Sequence, residues 1–222
     1  MVDNAWLIEN SRSSIAEIVK LTLSPSNELY FYYAGFELGT KIRYRLLTGL
    51  AITDQELNLK SKYEAPVLER TSKELFFRCG PFCIFEDNIY KMWYVAGSSW
   101  MKIDGKKMPV YEIKYIESTD GINWPEEGSV CISIEKNSEH GFGRPYVIKH
   151  QGIYKMFYSI RVKHLGYRLG YAESSDGVDW VRMDEKMNLN VSKEGWDSEM
   201  VAYSAVMEIN GKLTMFYNGN GF

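Results

Sequence analysis

Long apolar runs are missing from this sequence, and neither sign of charge dominates it. The longest apolar stretches, such as residues 29–36, are too short to span a bilayer. Lys and Arg number 26 against 29 Asp and Glu, and no basic stripe offers a surface to phosphates. The first ten residues lack the cationic and apolar segments of a signal peptide. We therefore expect neither a nucleic-acid partner nor a membrane partner.

Cysteine and histidine are both scarce, with three residues of each. Cys79 and Cys83 would lie about 13 Å apart in a strand, too far for a disulfide, so free thiols in a reducing cytoplasm fit best. No His, Cys and Asp spacing matches a zinc site, and neither HExxH nor a glycine-rich phosphate loop occurs. So few histidines do not argue for a Ser-His-Asp triad. We expect no metal, no cofactor and a cytoplasmic location.

Proline is also rare, whereas aromatic residues are abundant. The 222 residues include 16 Tyr, 10 Phe and 6 Trp against 6 Pro, and Gly, Asn and Asp recur at short intervals. Aromatic residues favour strands, and the Gly, Asn and Asp clusters are typical of the turns between them. The sequence therefore predicts an all-β protein.

Internal repeats organise the chain. The run CGPFCIFEDNIYKMWYVAG (79–97) matches GRPYVIKHQGIYKMFYSIR (143–161), a third copy begins at Tyr203, and a weaker one covers 15–35. Each copy reads as a strand, a polar turn and a second strand, and the predicted turns are Glu86-Asp87-Asn88, His150-Gln151-Gly152 and Ile209-Asn210-Gly211. A capping-box pattern at 14–17 would also allow a helix over 14–23, but the repeat favours a strand there.

The repeat continues with a second pair of strands. YEIKYIESTDGINW (111–124) matches YRLGYAESSDGVDW (167–180), with Asp-Gly turns before Trp124 and Trp180, which we expect to open a fourth strand. TGLAIT (48–53) is a degenerate copy of the third strand, and residues 98–109 form the longer loop of one repeat. Four antiparallel strands in about 55–65 residues are typical of a β-propeller blade.

We predict one β-propeller domain over residues 1–222. Its repeats begin near residues 14, 78, 143 and 203, and the last is incomplete, so the chain holds about three and a half blades. Either residues 1–10 complete the last blade or the chain is a piece of a longer propeller. An open ring would expose apolar faces and strand edges, which favours a homo-oligomer.

The runs GFGRPYVIKHQGIYKMFYS, YRLGYAESSDGVDW and GWDSEMVAYSAV resemble a family of uncharacterised bacterial five-bladed propellers, which is similar to glycoside hydrolase families 43 and 32. The resemblance covers nearly the whole chain. It implies a five-bladed propeller in which acidic residues from inner strands meet in an axial pocket. It also implies that this chain is truncated at both ends.

Glycoside hydrolysis needs one protonated and one ionised carboxyl group. Glu199 precedes the inner strand of the fourth copy, where the resembling proteins place functional side chains. Asp197 would point to the same side in an extended segment, so we predict both as catalytic. The alternative is a turn role for Asp197 and an arginine partner for Glu199. The matching positions of the second and third copies hold no acid, so the usual three-acid pattern is not reproduced.

Arg144 precedes the inner strand of the third copy, and Arg78 lies near the corresponding place in the second; together they would suit an anionic sugar such as a uronic or sialic acid. Their alternative role is structural pairing with Glu199 or Asp197 across blades. His140 precedes the Arg144 strand and could reach the pocket. Trp196 and Tyr203 could stack on sugar rings, although packing between blades is the alternative.

These residues lead to two functional hypotheses. The first is a carbohydrate-active, glycosidase-like protein with a glycan or sugar derivative as its partner, acting as a glycoside hydrolase. The second is a sugar-binding or scaffold propeller without turnover, or an incomplete fragment, because the fold alone does not decide.

Overall fold

The computed structural model describes residues 17–40 and 44–221. Within these ranges the chain forms fourteen strands, which confirms the all-β prediction. A single 3₁₀ helix of the described chain covers Asp184–Met187. No described helix is long and apolar enough to cross a membrane. The strands are β1 (Glu17–Leu23), β2 (Leu29–Leu38), β3 (Tyr44–Thr53), β4 (Leu59–Lys62), β5 (Phe77–Glu86), β6 (Ile89–Ile103), β7 (Lys106–Ser118), β8 (Ser129–Ile132), β9 (Glu139–His150), β10 (Ile153–Val162), β11 (Arg168–Ser174), β12 (Val181–Arg182), β13 (Ala202–Ile209) and β14 (Lys212–Asn218).

The chain divides into two compact units. Unit 1 comprises residues 1–98 and 116–128, and unit 2 comprises residues 99–115 and 129–222, apart from the positions outside the described ranges. The sequence predicts one domain over 1–222.

In unit 1, strands β1, β2 and β3 form an antiparallel meander, with β4 paired to the far side of β3. The strand predicted from the repeat is confirmed over Glu17–Leu23, whereas positions 14–16 of the alternative helix lie outside the described residues. Strand β5 runs parallel to β3 over two residue pairs and antiparallel to β6. The predicted turn of this hairpin falls at Asp87 and Asn88, whose positive φ angles of 55° and 61° suit a tight turn.

Aromatic side chains fill the core of unit 1. Tyr32, Leu50, Met92 and Tyr94 are fully buried in one cluster. The Tyr32 hydroxyl donates a hydrogen bond to the Gly121 carbonyl at 2.6 Å, so the phenol is buried with its polar atom paired. The abundance of tyrosine is therefore consistent with strands that pack on aromatic faces.

The pattern SxDGxxW occurs twice, at 118–124 and 174–180, and each copy forms a loop that its own Ser and Asp side chains stabilise by hydrogen bonds. In unit 1, Asp120 Oδ1 accepts the backbone N–H groups of Ile122 and Asn123, both at 2.8 Å, and the Ser118 hydroxyl binds the same oxygen at 2.9 Å. In unit 2, Asp176 makes the equivalent bonds. The expected strand start at Trp124 is wrong, because the loop continues to β8 at Ser129; β12 begins directly after Trp180.

These hydrogen bonds predict an acid-sensitive contribution from Asp120. Although burial opposes them, they lower the pKa of Asp120 from 3.8 to about 2. A lowered pKa stabilises the fold above the unfolded value, and this stabilisation is lost as the pH falls from about 4 to about 2. The difference in unfolding free energy between the wild type and Asp120→Ala is expected to shrink by on the order of 1 kcal/mol over that range. Urea unfolding at several pH values measures it, and a pH-independent difference would contradict the assignment.

Unit 2 contains the meander β9-β10-β11-β12, with β7 parallel to β9 and β8 paired to β7. Strands β13 and β14 form a separate hairpin whose turn is the predicted Asn210-Gly211. The long loop expected at 98–109 is wrong, because β6 and β7 continue through it to a turn at Asp104 and Gly105. Positive φ angles of 49° and 79° at these two residues fit a two-residue hairpin.

Candidate functional site

A β-bulge interrupts the inner strand of three repeats at the same position. Gly80 in β5, Arg144 in β9 and Tyr203 in β13 have positive φ angles of 58°, 46° and 53°, and the strand register shifts at each of them. A left-handed conformation of a residue with a side chain costs on the order of 1–3 kcal/mol, and such positions cluster at functional sites. Arg144 and Tyr203, both predicted from the sequence, are therefore held in strained positions within unit 2.

A tyrosine lies opposite each of these bulges and donates its hydroxyl to a carboxylate. Tyr94 binds Glu74 at 2.8 and 2.9 Å, and Tyr217 binds Asp197 at 2.9 Å. Glu74 and Asp197 both stand six residues before the bulge residue of their repeat. The expectation that the second copy holds no matching acid is therefore wrong at the position of Asp197. In the third repeat that position is occupied by Ser138, and Tyr158 binds Asp184 instead, at 2.5 Å. The carboxylate of Asp197 thus has a repeated structural partner.

Asp197 and Glu199 do not form the expected pair. Asp197 is 5% exposed and Glu199 is exposed, and a turn at Trp196 and Asp197 replaces the extended segment that would align them. Hydrogen bonding to Asp197 raises the pKa of the Tyr217 hydroxyl. This geometry favours a structural role for Asp197 in place of the predicted catalytic one, and it presents Glu199 alone to solvent.

Asn220 holds the loop that carries these residues, which we call the 195–200 loop. Its Oδ1 accepts the N–H groups of Glu199 and Met200 at 2.7 and 3.1 Å, and its Nδ2 donates to the Gly195 carbonyl and the Ser198 hydroxyl, both at 3.1 Å. The Asn220 N–H also donates to the Trp196 carbonyl at 2.6 Å. Sequence reasoning missed Asn220, although the YNGNG run that contains it was visible.

Trp196 provides an exposed aromatic face. Its side chain is 61% exposed, and its ring stacks on Tyr217 with centroids 5.1 Å apart and planes 27° from parallel. A Cβ atom at Gly219 would lie 2.3 Å from the Trp196 carbonyl oxygen, so a glycine is needed there for the loop to approach. The indole is thus supported on one side and open to solvent.

An aromatic–arginine cluster, consisting of Tyr111, Arg144, Arg161, Tyr167 and Tyr203, lies in the same unit. The Arg144 guanidinium is 5.2 Å from the ring centroid of Tyr203, whose ring is 5.4 Å from that of Tyr167. Arg161 lies 5.3 and 5.2 Å from the rings of Tyr111 and Tyr167 and donates hydrogen bonds to both hydroxyls. Such cation–π contacts orient the guanidinium groups. No sequence signal predicted Tyr111, Arg161 or Tyr167.

The loop and the cluster are neighbours. Arg168 donates to the carbonyls of Tyr167 and Glu199 at 2.9 and 3.0 Å, and the Val201 N–H donates to the Tyr167 carbonyl at 3.1 Å. The structure therefore brings the predicted residues Glu199, Trp196, Tyr203 and Arg144 into one region of unit 2.

His140 and Arg78 occupy buried structural positions. His140 is 5% exposed, and its Nδ1 lies 3.2 Å from the Pro109 carbonyl. Burial lowers the pKa of His140, and the charge of Arg161 lowers it further. Arg78, in unit 1, forms a 2.6 Å ion pair with Glu74 and donates to two backbone carbonyls. With the Arg78 guanidinium enclosed in this way, we do not place it among the sugar-binding groups.

No group of three or more His, Cys, Asp or Glu side chains within residues 17–40 and 44–221 could hold a metal ion. Cys79, Cys83 and Cys131 are free thiols. The described site offers an exposed carboxylate, arginines and aromatic rings.

The sheets are those of a glycosidase-type propeller. A thermostable family-43 glycoside hydrolase superposes with a TM-score of 0.68 at 19% identity, covering 89% of this chain and 63% of that one. A family-32 β-fructofuranosidase of Bombyx mori gives 0.59 at 16% identity, covering 85% and 40%. An N-acetylgalactosamine deacetylase from F. plautii, in complex with blood group B trisaccharide, gives 0.65 at 12% identity, covering 93% and 64%. The predicted fold, a β-propeller of the five-bladed type with about three and a half blades here, is confirmed: β1–β4 in unit 1 and β9–β12 in unit 2 are four-stranded, and β13–β14 is half a blade.

The names of the curated sequence relatives state no activity. No family model matches the chain. The uncharacterised protein Rv1502 of Mycobacterium tuberculosis strain H37Rv is 28% identical over 191 residues, covering 86% of this chain and 62% of that protein. The chain thus spans about three fifths of the length of the curated relatives it matches.

Proposed function

We propose that this chain belongs to a carbohydrate-active protein with glycosidase-like activity. It binds and acts on a glycan at a site formed by the 195–200 loop and the aromatic–arginine cluster. The observation that carries the proposal is the exposed Trp196 face three residues from the exposed Glu199, on a loop held by five hydrogen bonds of Asn220. Aromatic faces with nearby polar groups suit sugar rings. A solved protein of similar fold, the F. plautii deacetylase in complex with blood group B trisaccharide, supports a carbohydrate ligand.

In this proposal Glu199 is the general acid that protonates the leaving oxygen of a glycosidic bond. Hydrolysis needs a second carboxylate to activate water or attack carbon. Because Asp197 is engaged with Tyr217, that second group comes from elsewhere in the whole protein. Arg144 and Arg161 place positive charge beside the loop, which favours a substrate bearing a carboxylate, such as a uronic or sialic acid.

Glu199→Gln is the direct test of this role. In a screen of 4-nitrophenyl glycosides and acidic sugars, kcat is expected to fall by about 10²-fold or more, because a general acid contributes about 10²–10⁴-fold. Glu194→Gln, a matched change of an exposed carboxylate before the same loop, is expected to leave kcat within about twofold. The loss should be smaller for a 2,4-dinitrophenyl leaving group, which needs little protonation. Equal rates for both variants would exclude Glu199 as the acid.

The second candidate function is sugar binding without turnover, and the burial of Asp197 favours it. It predicts no hydrolysis in the screen, together with saccharide binding that Trp196→Ala weakens by about tenfold, the typical effect of losing one aromatic contact. Neither hydrolysis nor Trp196-dependent binding would refute both functions.

A further inference from the structure

A cavity of about 550 Å³ lies in unit 2. None of the site residues predicted from the sequence lines it. Its volume is within the usual range of small-molecule sites. It is bounded by the start of β9, the end of β10, the start of β11 and the 3₁₀ helix with the residues that follow it. Arg168, at its edge, is the residue that also contacts the 195–200 loop, through the Glu199 carbonyl.

The cavity lies where the third repeat departs from the others. Ser138, one of its lining residues, occupies the position of Glu74 and Asp197 in the other two repeats. The carboxylate that binds the repeat tyrosine comes here from Asp184, which is also part of the wall. A hydroxyl thus replaces a larger acidic side chain at this one position of the repeat.

The inner wall is a preorganised charge network. Arg182 donates to Glu139 at 2.8 and 3.1 Å and to Asp184 at 2.5 Å, and the side chains of Glu139 and Arg182 are 2% and 8% exposed. Burial would raise the pKa of Glu139, but the hydrogen bonds and charge of Arg182 outweigh it and hold that pKa below its usual value. The wall is therefore rigid, and its buried charges are paired with each other.

The rim of the cavity consists of polar side chains. The side chains of Ser138, Glu185, Asn188 and Asn190 have no hydrogen-bond partner among the described residues. The lining as a whole carries four carboxylates and three cationic groups, so its charge is nearly balanced. Ile160, Leu169 and Leu189 add apolar surface.

We propose that this cavity binds a neutral polyhydroxylated molecule of monosaccharide to disaccharide size. Amide, hydroxyl and carboxylate groups pair with the vicinal hydroxyls of such a ligand, and the aliphatic side chains contact its C–H faces. Nearly balanced charges give no net attraction to an anion or a cation. This site goes beyond the proposed function, because it uses neither Glu199 nor Trp196.

Saccharide titration of rim variants tests the proposal. Glucose, galactose, xylose and sucrose, with glucuronate as the charged comparison, are titrated by calorimetry into the wild type and variants of unchanged melting temperature. Asn190→Ala is expected to weaken binding of a neutral sugar by about fivefold, the effect of one lost hydrogen bond. Ser138→Phe, which places a ring in the cavity, is expected to abolish it. Asn137→Ala, which changes a neighbouring exposed asparagine outside the lining, should leave it unchanged, and Trp196→Ala separates binding in the cavity from binding at the 195–200 loop.

Three results would overturn the proposal: no neutral sugar binds, Asn190→Ala and Ser138→Phe bind as the wild type does, or Trp196→Ala alone removes the binding. The last result would assign the sugar to the 195–200 loop and support the proposed function. Binding lost only in Asn190→Ala and Ser138→Phe would support the cavity, whatever the outcome of the hydrolysis screen.

Discussion

Arg78→Met is expected to lower the free energy of unfolding by about 3–5 kcal/mol, the typical cost of leaving a buried charge without its partner. The Arg78 and Glu74 side chains are 3% and 1% exposed and form an ion pair at 2.6 Å. Glu74 also accepts the Tyr94 hydroxyl, and burial raises the pKa of that tyrosine above its usual value. The substitution therefore leaves the Glu74 carboxyl group without its cationic partner in a site closed to water. Urea unfolding at neutral pH measures the loss.

An exposed pair is the matched control for this substitution. Arg45→Met removes an ion pair with Glu37, whose side chain is 59% exposed, and is expected to cost less than about 1 kcal/mol. The double variant Arg78→Met with Glu74→Leu should recover most of the lost stability, because it removes both buried charges. If Arg78→Met cost no more than Arg45→Met, the structural assignment would fail and the predicted sugar-binding role of Arg78 would regain support.

Glu139→Ala is expected to destabilise the protein by on the order of 3 kcal/mol at pH 7, because the buried Arg182 loses a carboxylate partner and, among the described residues, keeps hydrogen bonds only to Asp184 and the Ser133 carbonyl. The pKa of Glu139 is lower in the folded protein than its ordinary value of 4.5. Its contribution is therefore present above pH 4.5 and is lost as the pH falls through the lower folded pKa. The gap between wild type and variant, measured by urea unfolding, should narrow below about pH 4.

Glu135→Ala provides the control for Glu139. Its carboxylate lies 3.8 Å from Arg182, but the side chain is 59% exposed, so we expect a cost of less than about 1 kcal/mol. Equal effects of the two substitutions at pH 7 would show that burial does not strengthen the Glu139 pair. That result would also contradict the inference that the inner wall of the cavity is rigid, on which the cavity proposal depends.

The repeat pattern predicted strands and turns well, and it failed where one repeat differs from another. The Asn210-Gly211 turn and the strand over Glu17–Leu23 are confirmed because local turn chemistry and the repeat register agree there. Residues 98–109 were expected to loop, yet they extend a hairpin to Asp104 and Gly105, because an Asp-Gly dipeptide closes a tight turn wherever the flanking strands can pair.

The candidate site was only partly visible in the chain. Trp196, Glu199, Arg144 and Tyr203 were named from their places before inner strands, and the structure groups them in unit 2. The partners that give them roles come from far along the chain, as Asn220 does for Glu199 at a separation of 21 residues. No local pattern shows such a bond, because both residues are ordinary polar types in loops.

Composition and periodicity alone determined the all-β class, the repeat unit and the approximate positions of inner strands, because alternation and turn residues act over a few neighbouring positions. Only the tertiary structure decided which side chains are buried. It buries Asp197 while leaving Glu199 exposed, encloses Arg78 against Glu74, and forms a cavity beside Ser138. The physical reason is that desolvation and the choice of hydrogen-bond partner depend on which distant segments pack around a side chain, and residue type does not reveal those segments.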